Sequence, residues 1–138
     1  MDAHEYLSQI AKLDLMIRHK IEQVERWRDA AHGLGGLGGS GERVQTSAGV
    51  YGRVPDAVCR YVDLEREIDE LRLKRAAIIR CIEQLPSVEY EIIYAIYVEG
   101  ATIQEVAYRL KKSYEFVKIH KKKALGMVRV LIDGENKA

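Results

Sequence analysis

Apolar residues recur at steps of three and four through residues 3–31, at Ile10, Leu13, Ile17, Ile21, Val24 and Trp27. Charged residues fill the positions between them, and no proline or glycine interrupts the run. This period predicts one long helix. Its apolar stripe is narrow, like a coiled-coil seam, so it needs a partner helix to cover it. A second long run occupies residues 56–85, with Val58, Tyr61, Leu64, Ile68, Leu71, Ile78, Ile82 and Leu85 at similar steps. Residues 63–75 within it are charge-dense, with acids ahead of bases at helical separations, which supports an exposed helix. Pro55 is suited to the first turn of this helix. The stretch between the two runs, 32–53, is rich in glycine, and each glycine inside a helix costs about 1 kcal/mol against alanine. It reads as a flexible loop. It is not a phosphate-binding loop, because no GxxxxGK[ST] occurs and no strand precedes it. Two long helices around such a loop predict an antiparallel helical hairpin, or a dimeric coiled coil if the stripes pair between chains.

The pattern changes after Leu85-Pro86, where the proline disfavours helical geometry in the residue before it. Ser87 is placed to cap the next helix. That helix carries Val88, Ile92, Ile93, Ile96 and Tyr97 and stops at Gly100, a natural terminator. Thr102-x-x-Glu105 is a capping box for a short helix, Ile103 to Leu110, whose apolar face is Ile103, Val106, Ala107 and Leu110. After Lys111-Lys112, Ser113 caps a last helix from Tyr114 to about Ile132, with Val117, Ala124, Val128 and Leu131 facing inward. A short helix, a tight turn and a capped second helix make a helix-turn-helix. The expected fold is therefore all-α. Residues 1–85 form the helical hairpin or coiled-coil region with its glycine-rich loop at 32–53, and residues 86–138 form a helix-turn-helix domain.

In such a motif the second helix lays its first residues against base edges in the major groove. With Val117 inward, Tyr114, Glu115, Lys118 and Lys121 or Lys122 point largely outward. Lys118 suits guanine O6/N7 and Glu115 suits cytosine N4, while Tyr114 suits a thymine methyl or a phosphate. Arg109, Lys111, Lys112, Lys121 and Lys122 suit phosphates, which position the protein and carry salt dependence. Thr102 and Ser113 are occupied as caps, and the N–H groups beside them are also available to phosphates. His120, three residues after Val117, is either half-buried packing or a contact. Tyr90, Tyr94, Tyr97 and Tyr108 read as packing residues rather than base-stacking platforms.

Charge sharpens this picture. The formal net charge of the 138 residues is only +1. From Ala101 to Ala138, however, nine Lys and Arg face four Asp and Glu. A basic end on a slightly acidic body is the footprint of a nucleic-acid-binding module. The composition, 47% hydrophobic and 31% charged, is that of a soluble folded chain. No apolar run approaches the roughly 18 residues of a membrane span. The beginning, MDAHEYLSQI, has no apolar segment of a signal peptide. Cys59 and Cys81 lie in helical stretches without metal-ligand spacing, as expected of reduced, buried or half-buried thiols in the cytoplasm. A disulfide between them is not expected, since on one helix they would lie roughly 33 Å apart. His4, His19, His32 and His120 are scattered, so no metal or other cofactor is implied. No nucleophile–base pair or paired carboxylates stand out, and no enzymatic activity is expected.

Residues 85–131 resemble region 4 of bacterial sigma factors. The shared pattern is Leu85-Pro86, then Tyr97-Val98-Glu99-Gly100, then Thr102-x-x-Glu105-Val106-Ala107-x-x-Leu110, then Ser113-x-x-x-Val117 and Lys123-Ala124-Leu125. The chain as a whole is similar to the small sigma-region-4-like proteins of phages and prophages, akin to the ArpU-type late-transcription regulators. This resemblance implies sequence-specific binding of double-stranded DNA, control of late or packaging genes in a bacterial host cell, and contact with host RNA polymerase. The N-terminal helices would then dock to polymerase or form a homo-oligomer. Two other functions fit the same architecture. One is a small-terminase-like packaging protein, although the DNA-binding part comes first in most of those. The other is a polymerase-binding protein that does not bind DNA alone. Sigma region 4 commonly has glycine after the leucine, where this chain has Lys111. A non-glycine residue there costs roughly 1 kcal/mol if the turn is left-handed. His120 replaces a usually aliphatic inward residue, and nothing in the chain resembles the promoter-melting region 2.

Overall fold

A computed structural model describes the backbone of residues 2–38 and 47–137, with side chains of residues 2–31 and 56–135. Within these residues every regular element is helical: α1 (Ala3–Gly38), α2 (Ser47–Glu83), α3 (Ser87–Ile93), a π-helical turn (Tyr94–Val98), α4 (Ile103–Leu110) and α5 (Tyr114–Lys137). No helix among the described residues is long and apolar enough to cross a membrane. The chain divides into two compact units, residues 15–72 and residues 1–14 with 73–138, so α1 and α2 each contribute to both.

The 15–72 unit is an antiparallel pair of helices, one of the two arrangements that the apolar stripes allow. Lys20 of α1 donates to Glu67 of α2 at 2.8 Å, and Arg28 pairs with Glu65. The later residue of α1 meets the earlier residue of α2, as an antiparallel pair requires. Val24, Ile68 and Leu71 are buried along the seam, and Ile17 and Ile21 are half-buried. Trp27, expected on the same stripe, is 37% exposed. The Arg60 guanidinium lies over its ring, 5.7 Å from the centroid, so a charged neighbour covers it rather than a core.

The glycines break the helices less than expected. The backbone is helical to Gly38 and again from Ser47, so residues 32–38 and 47–53 of the expected loop are helical, and 39–46 lie outside the described residues. Each added residue of an established helix gains one hydrogen bond, so a penalty near 1 kcal/mol per glycine does not by itself end it. Pro55 sits inside α2, not in its first turn, because α2 begins eight residues earlier, at Ser47.

The second unit holds the better-enclosed core. Residues 73–83 of α2 bring in Ile78, Cys81 and Ile82, and the start of α1 brings in Leu7 and Ile10, all buried. Asp14 accepts from Arg75 Nε at 2.6 Å. His4 Nδ1 lies 2.7 Å from the Tyr97 hydroxyl, and burial pushes the phenol of Tyr97 above its usual pKa. The helix-turn-helix core is Ile92, Ala95, Ala101, Val106, Ala107 and Val117, flanked by the half-buried Ile96, Ile103, Leu110 and Phe116.

The later helix ends follow the sequence with three differences, the simplest being that α5 runs past the expected Ile132 to Lys137. Pro86, not Ser87, is the N-cap of α3, and no side chain caps it. A proline has no N–H to satisfy there, and its carbonyl accepts from Tyr90 N–H at 2.7 Å. The helix expected to run evenly to Gly100 widens into the π turn, where Glu99 N–H reaches the Tyr94 carbonyl at 3.1 Å. Gly100 then turns the chain at φ +76°, as its terminator role demands. Val88, expected on the inward face of α3, is 38% exposed. Cys59 is exposed as well, while Cys81 is buried, and both are free thiols.

Candidate nucleic-acid interface

Two caps and one strained turn fix the motif. Thr102 Oγ1 accepts from Glu105 N–H at 3.2 Å and Ser113 Oγ accepts from Phe116 N–H at 3.0 Å, so both expected caps are formed. Between them Lys111 is left-handed, at φ 56° and ψ 42°. Its N–H bonds the Tyr108 carbonyl at 3.2 Å, and Lys112 N–H bonds the Ala107 carbonyl at 3.0 Å. These two bonds are a Schellman ending, with lysine where glycine would be free of strain. They direct the chain from α4 into α5.

On α5, Val117, Ala124 and Val128 have no exposed surface and mark the inward side. Glu115, Lys118 and Lys122 are exposed on the outer side, and Tyr114 is 46% exposed there. Of Lys121 and Lys122, either of which the helical period allows to point outward, Lys122 does and Lys121 does not. It is half-buried, with its ammonium 5.9 Å from the Tyr97 ring centroid, because it lies on the inner edge of the helix, four residues from Val117. Lys111 and Lys112 are exposed, and the Lys112 ammonium lies 5.3 Å from the Phe116 ring. Arg109 is exposed but bound, donating to Glu99 Oε2 at 2.8 Å. Thr102 and Ser113 are exposed beside their helix starts. Among the described residues of this end, Lys111, Lys112, Lys118, Lys121, Lys122 and Arg129 have no ion-pair partner; Lys112 and Lys121 lie against aromatic rings, and the other four are free positive charge.

Several features escaped the sequence. Tyr108, expected to pack, is 87% exposed on α4. Ile119, 62% exposed, stands on α5 near Glu115, Lys118 and Lys122. Arg129 continues the outer face of α5. The exposed tyrosine carried no signal, because one aromatic residue fits either side of a short amphipathic helix. Ile119 did carry one, as an apolar residue out of step with Val117, Ala124 and Val128.

His120 is resolved as packing. Its ring lies 4.2 Å from that of Phe116, and Nδ1 lies 3.0 Å from Glu89 Oε1. Glu89, on α3, is the one buried charged residue among those described, at 5% exposure. The hydrogen bond from His120 is the largest cause holding its carboxyl below the usual range, with Lys123 Nζ, at 4.0 Å, adding to it. A buried acid on α3 thus ties down the inner side of α5, and no buried side-chain nitrogen or oxygen among the described residues is left without a partner.

The geometry is that of two short helices holding a third with its first turns exposed, partly basic and rigidly seated. That arrangement can enter a groove and hydrogen-bond base edges and phosphates. No curated protein and no solved structure matches the chain. Residues 81–129, from the end of α2 to the middle of α5, match the family model Sigma-70, region 4.

Proposed function

We propose that this protein is a sequence-specific DNA-binding regulator of transcription, with α5 as its recognition helix. One observation carries the reading: the second helix of a sigma-70 region 4 motif presents Glu115, Lys118 and Lys122 outward, free of partners, while its inner side is locked by Val117 and the Glu89–His120 bond. In this reading Lys118 meets guanine and Glu115 meets cytosine N4. Lys111, Lys112 and Lys122 meet phosphates, joined by Arg109 if it leaves Glu99. The hydroxyls of Thr102 and Ser113 accept within their caps and keep a proton to donate to a phosphate. Lys121 acts from the inner edge as a long-range positive charge. The reading calls for no catalytic step and no cofactor.

The resemblance to ArpU-type phage and prophage proteins supports late or packaging genes as targets, host RNA polymerase as a second partner and the bacterial cytoplasm as the setting. The α1–α2 pair would supply the polymerase contact or a homo-oligomer interface.

The test is fluorescence anisotropy of the full chain on a mixed duplex library, from low to moderate salt, beside Lys118→Ala/Lys122→Ala. Binding should fall steeply with salt, weaken about tenfold or more in the variant, and enrich one duplex sequence on selection. No binding at low salt would overturn DNA recognition by the isolated protein and turn the search to polymerase.

A further inference from the structure

Ile119 is a large aliphatic side chain 62% exposed in the middle of the outward face of α5. At 100° per residue it lies about 160° around the helix from Val117, so no small rotation of α5 would place it in the core. Its helical neighbours are Glu115 one turn before and Lys122 and Lys123 one turn after, all exposed. An isoleucine gains nothing from such a setting in the free protein. It is a poorer helix former than the polar residues around it, and it leaves apolar surface in water.

From this placement we propose that Ile119 reads the C5-methyl of a thymine in the major groove, which deepens the DNA-binding reading and rests on it. Thymine is the one base of B-DNA that offers an apolar group there. An aliphatic side chain has nothing to give a phosphate. The branched side chain is also pre-set, since in a helix isoleucine holds a single χ1 rotamer about nine times in ten, so little freedom is lost on contact. Side chains four apart on a helix are about 5–6 Å apart, and successive bases on one strand rise about 3.4 Å. The thymine read by Ile119 therefore lies one or two base steps from the cytosine read by Glu115. The recognised site contains a thymine within one or two base steps of a C·G pair, and the protein distinguishes thymine from uracil at that position.

The experiment uses the duplex selected from the mixed library. Each thymine is replaced in turn by deoxyuridine, which removes the methyl group alone, and both the wild type and Ile119→Ala are measured on every duplex. The expected result is one position, within one or two base steps of a C·G pair, where loss of the methyl weakens wild-type binding about threefold to tenfold. At that position Ile119→Ala binds the two duplexes equally, and helical circular dichroism shows the variant folded. Wild-type binding that ignores every thymine methyl would overturn this inference and leave the DNA-binding reading intact. So would an Ile119→Ala variant that binds all duplexes as the wild type does, the result expected if Ile119 faces a protein. Failure of the wild type to bind any duplex would overturn both.

Discussion

The two compact units are built from the same helices and hold them differently. In residues 15–72, α1 and α2 lie side by side, and each buries one narrow stripe against the other. In the unit of residues 1–14 and 73–138, the ends of those helices join α3, α4 and α5. All the largest fully buried side chains fall in this second unit, among them Leu7, Ile10, Ile82, Ile92, Val106, Val117 and Val128. The helix pair has Val24, Ile68 and Leu71, each still slightly exposed, and supplements them with Lys20–Glu67, Arg28–Glu65 and Arg60 over Trp27. The difference is geometric. A side chain between two helices is covered from one direction, whereas one among several crossing helices is covered from all sides. Hydrophobic stabilisation follows the area removed from water, and exposed ion pairs add little to it. The unit that bears the candidate interface is thus the rigid one, as a helix that must place side chains against base edges requires.

The largest effect that would break this contrast is a matched pair of core truncations. Ile92→Ala in the helix-turn-helix core should cost about 2–5 kcal/mol, and Ile21→Ala in the helix pair about 1 kcal/mol, read from urea unfolding. Equal losses would mean that the pair is covered as well as the core, for example by a second copy of the chain. Next, Glu89→Gln should cost about 2 kcal/mol at neutral pH by weakening the charge-assisted bond to His120. The Glu89 carboxyl is held below its usual range, chiefly by that bond. Its contribution is fully present above the pKa of an unfolded glutamate, near 4.3, and is lost as pH falls through the lowered folded value. The gap in melting temperature between wild type and variant should therefore close between neutral pH and strong acid, and a gap unchanged at pH 3 would refute the assignment. A smaller effect of opposite sign is expected at Lys111. Lys111→Gly should stabilise the unit by about 1 kcal/mol, by relieving the left-handed turn, and thermal unfolding would show whether it does. Smallest of all, Lys20→Ala should change stability by no more than about 0.5 kcal/mol. A larger loss would mean that the ion pairs, not the thin seam, hold the helix pair.

Much of this was legible from spacing alone. Val106, Ala107, Val117, Ala124 and Val128 were placed inward by a period of three and four, and all are buried. Thr102 and Ser113 were recognised as caps, because a hydroxyl before an apolar-periodic run has a backbone donor within reach. The candidate interface was less legible. Lys118 and Lys122 emerge exposed, but Lys121 is drawn over Tyr97 and Arg109 onto Glu99. Those partners lie 24 and 10 residues away in sequence, where no helical period relates them. The Glu89–His120 bond escaped for the same reason, since each residue alone resembles a surface polar group.

By itself the sequence determined the elements and their inward faces, because capping and amphipathic periodicity are local and act within a turn or two of each residue. It also marked Lys111 as the residue that is strained if the turn is left-handed, and the structure decided that it is. Tertiary structure alone decided how far the glycine-flanked helices extend, that Glu89 is buried and paired with His120, that Tyr108 stands in solvent, and which lysines are free. Those outcomes depend on which helices cross and on what each side chain meets across the crossing, and contacts between residues distant in sequence leave no periodic trace in the chain.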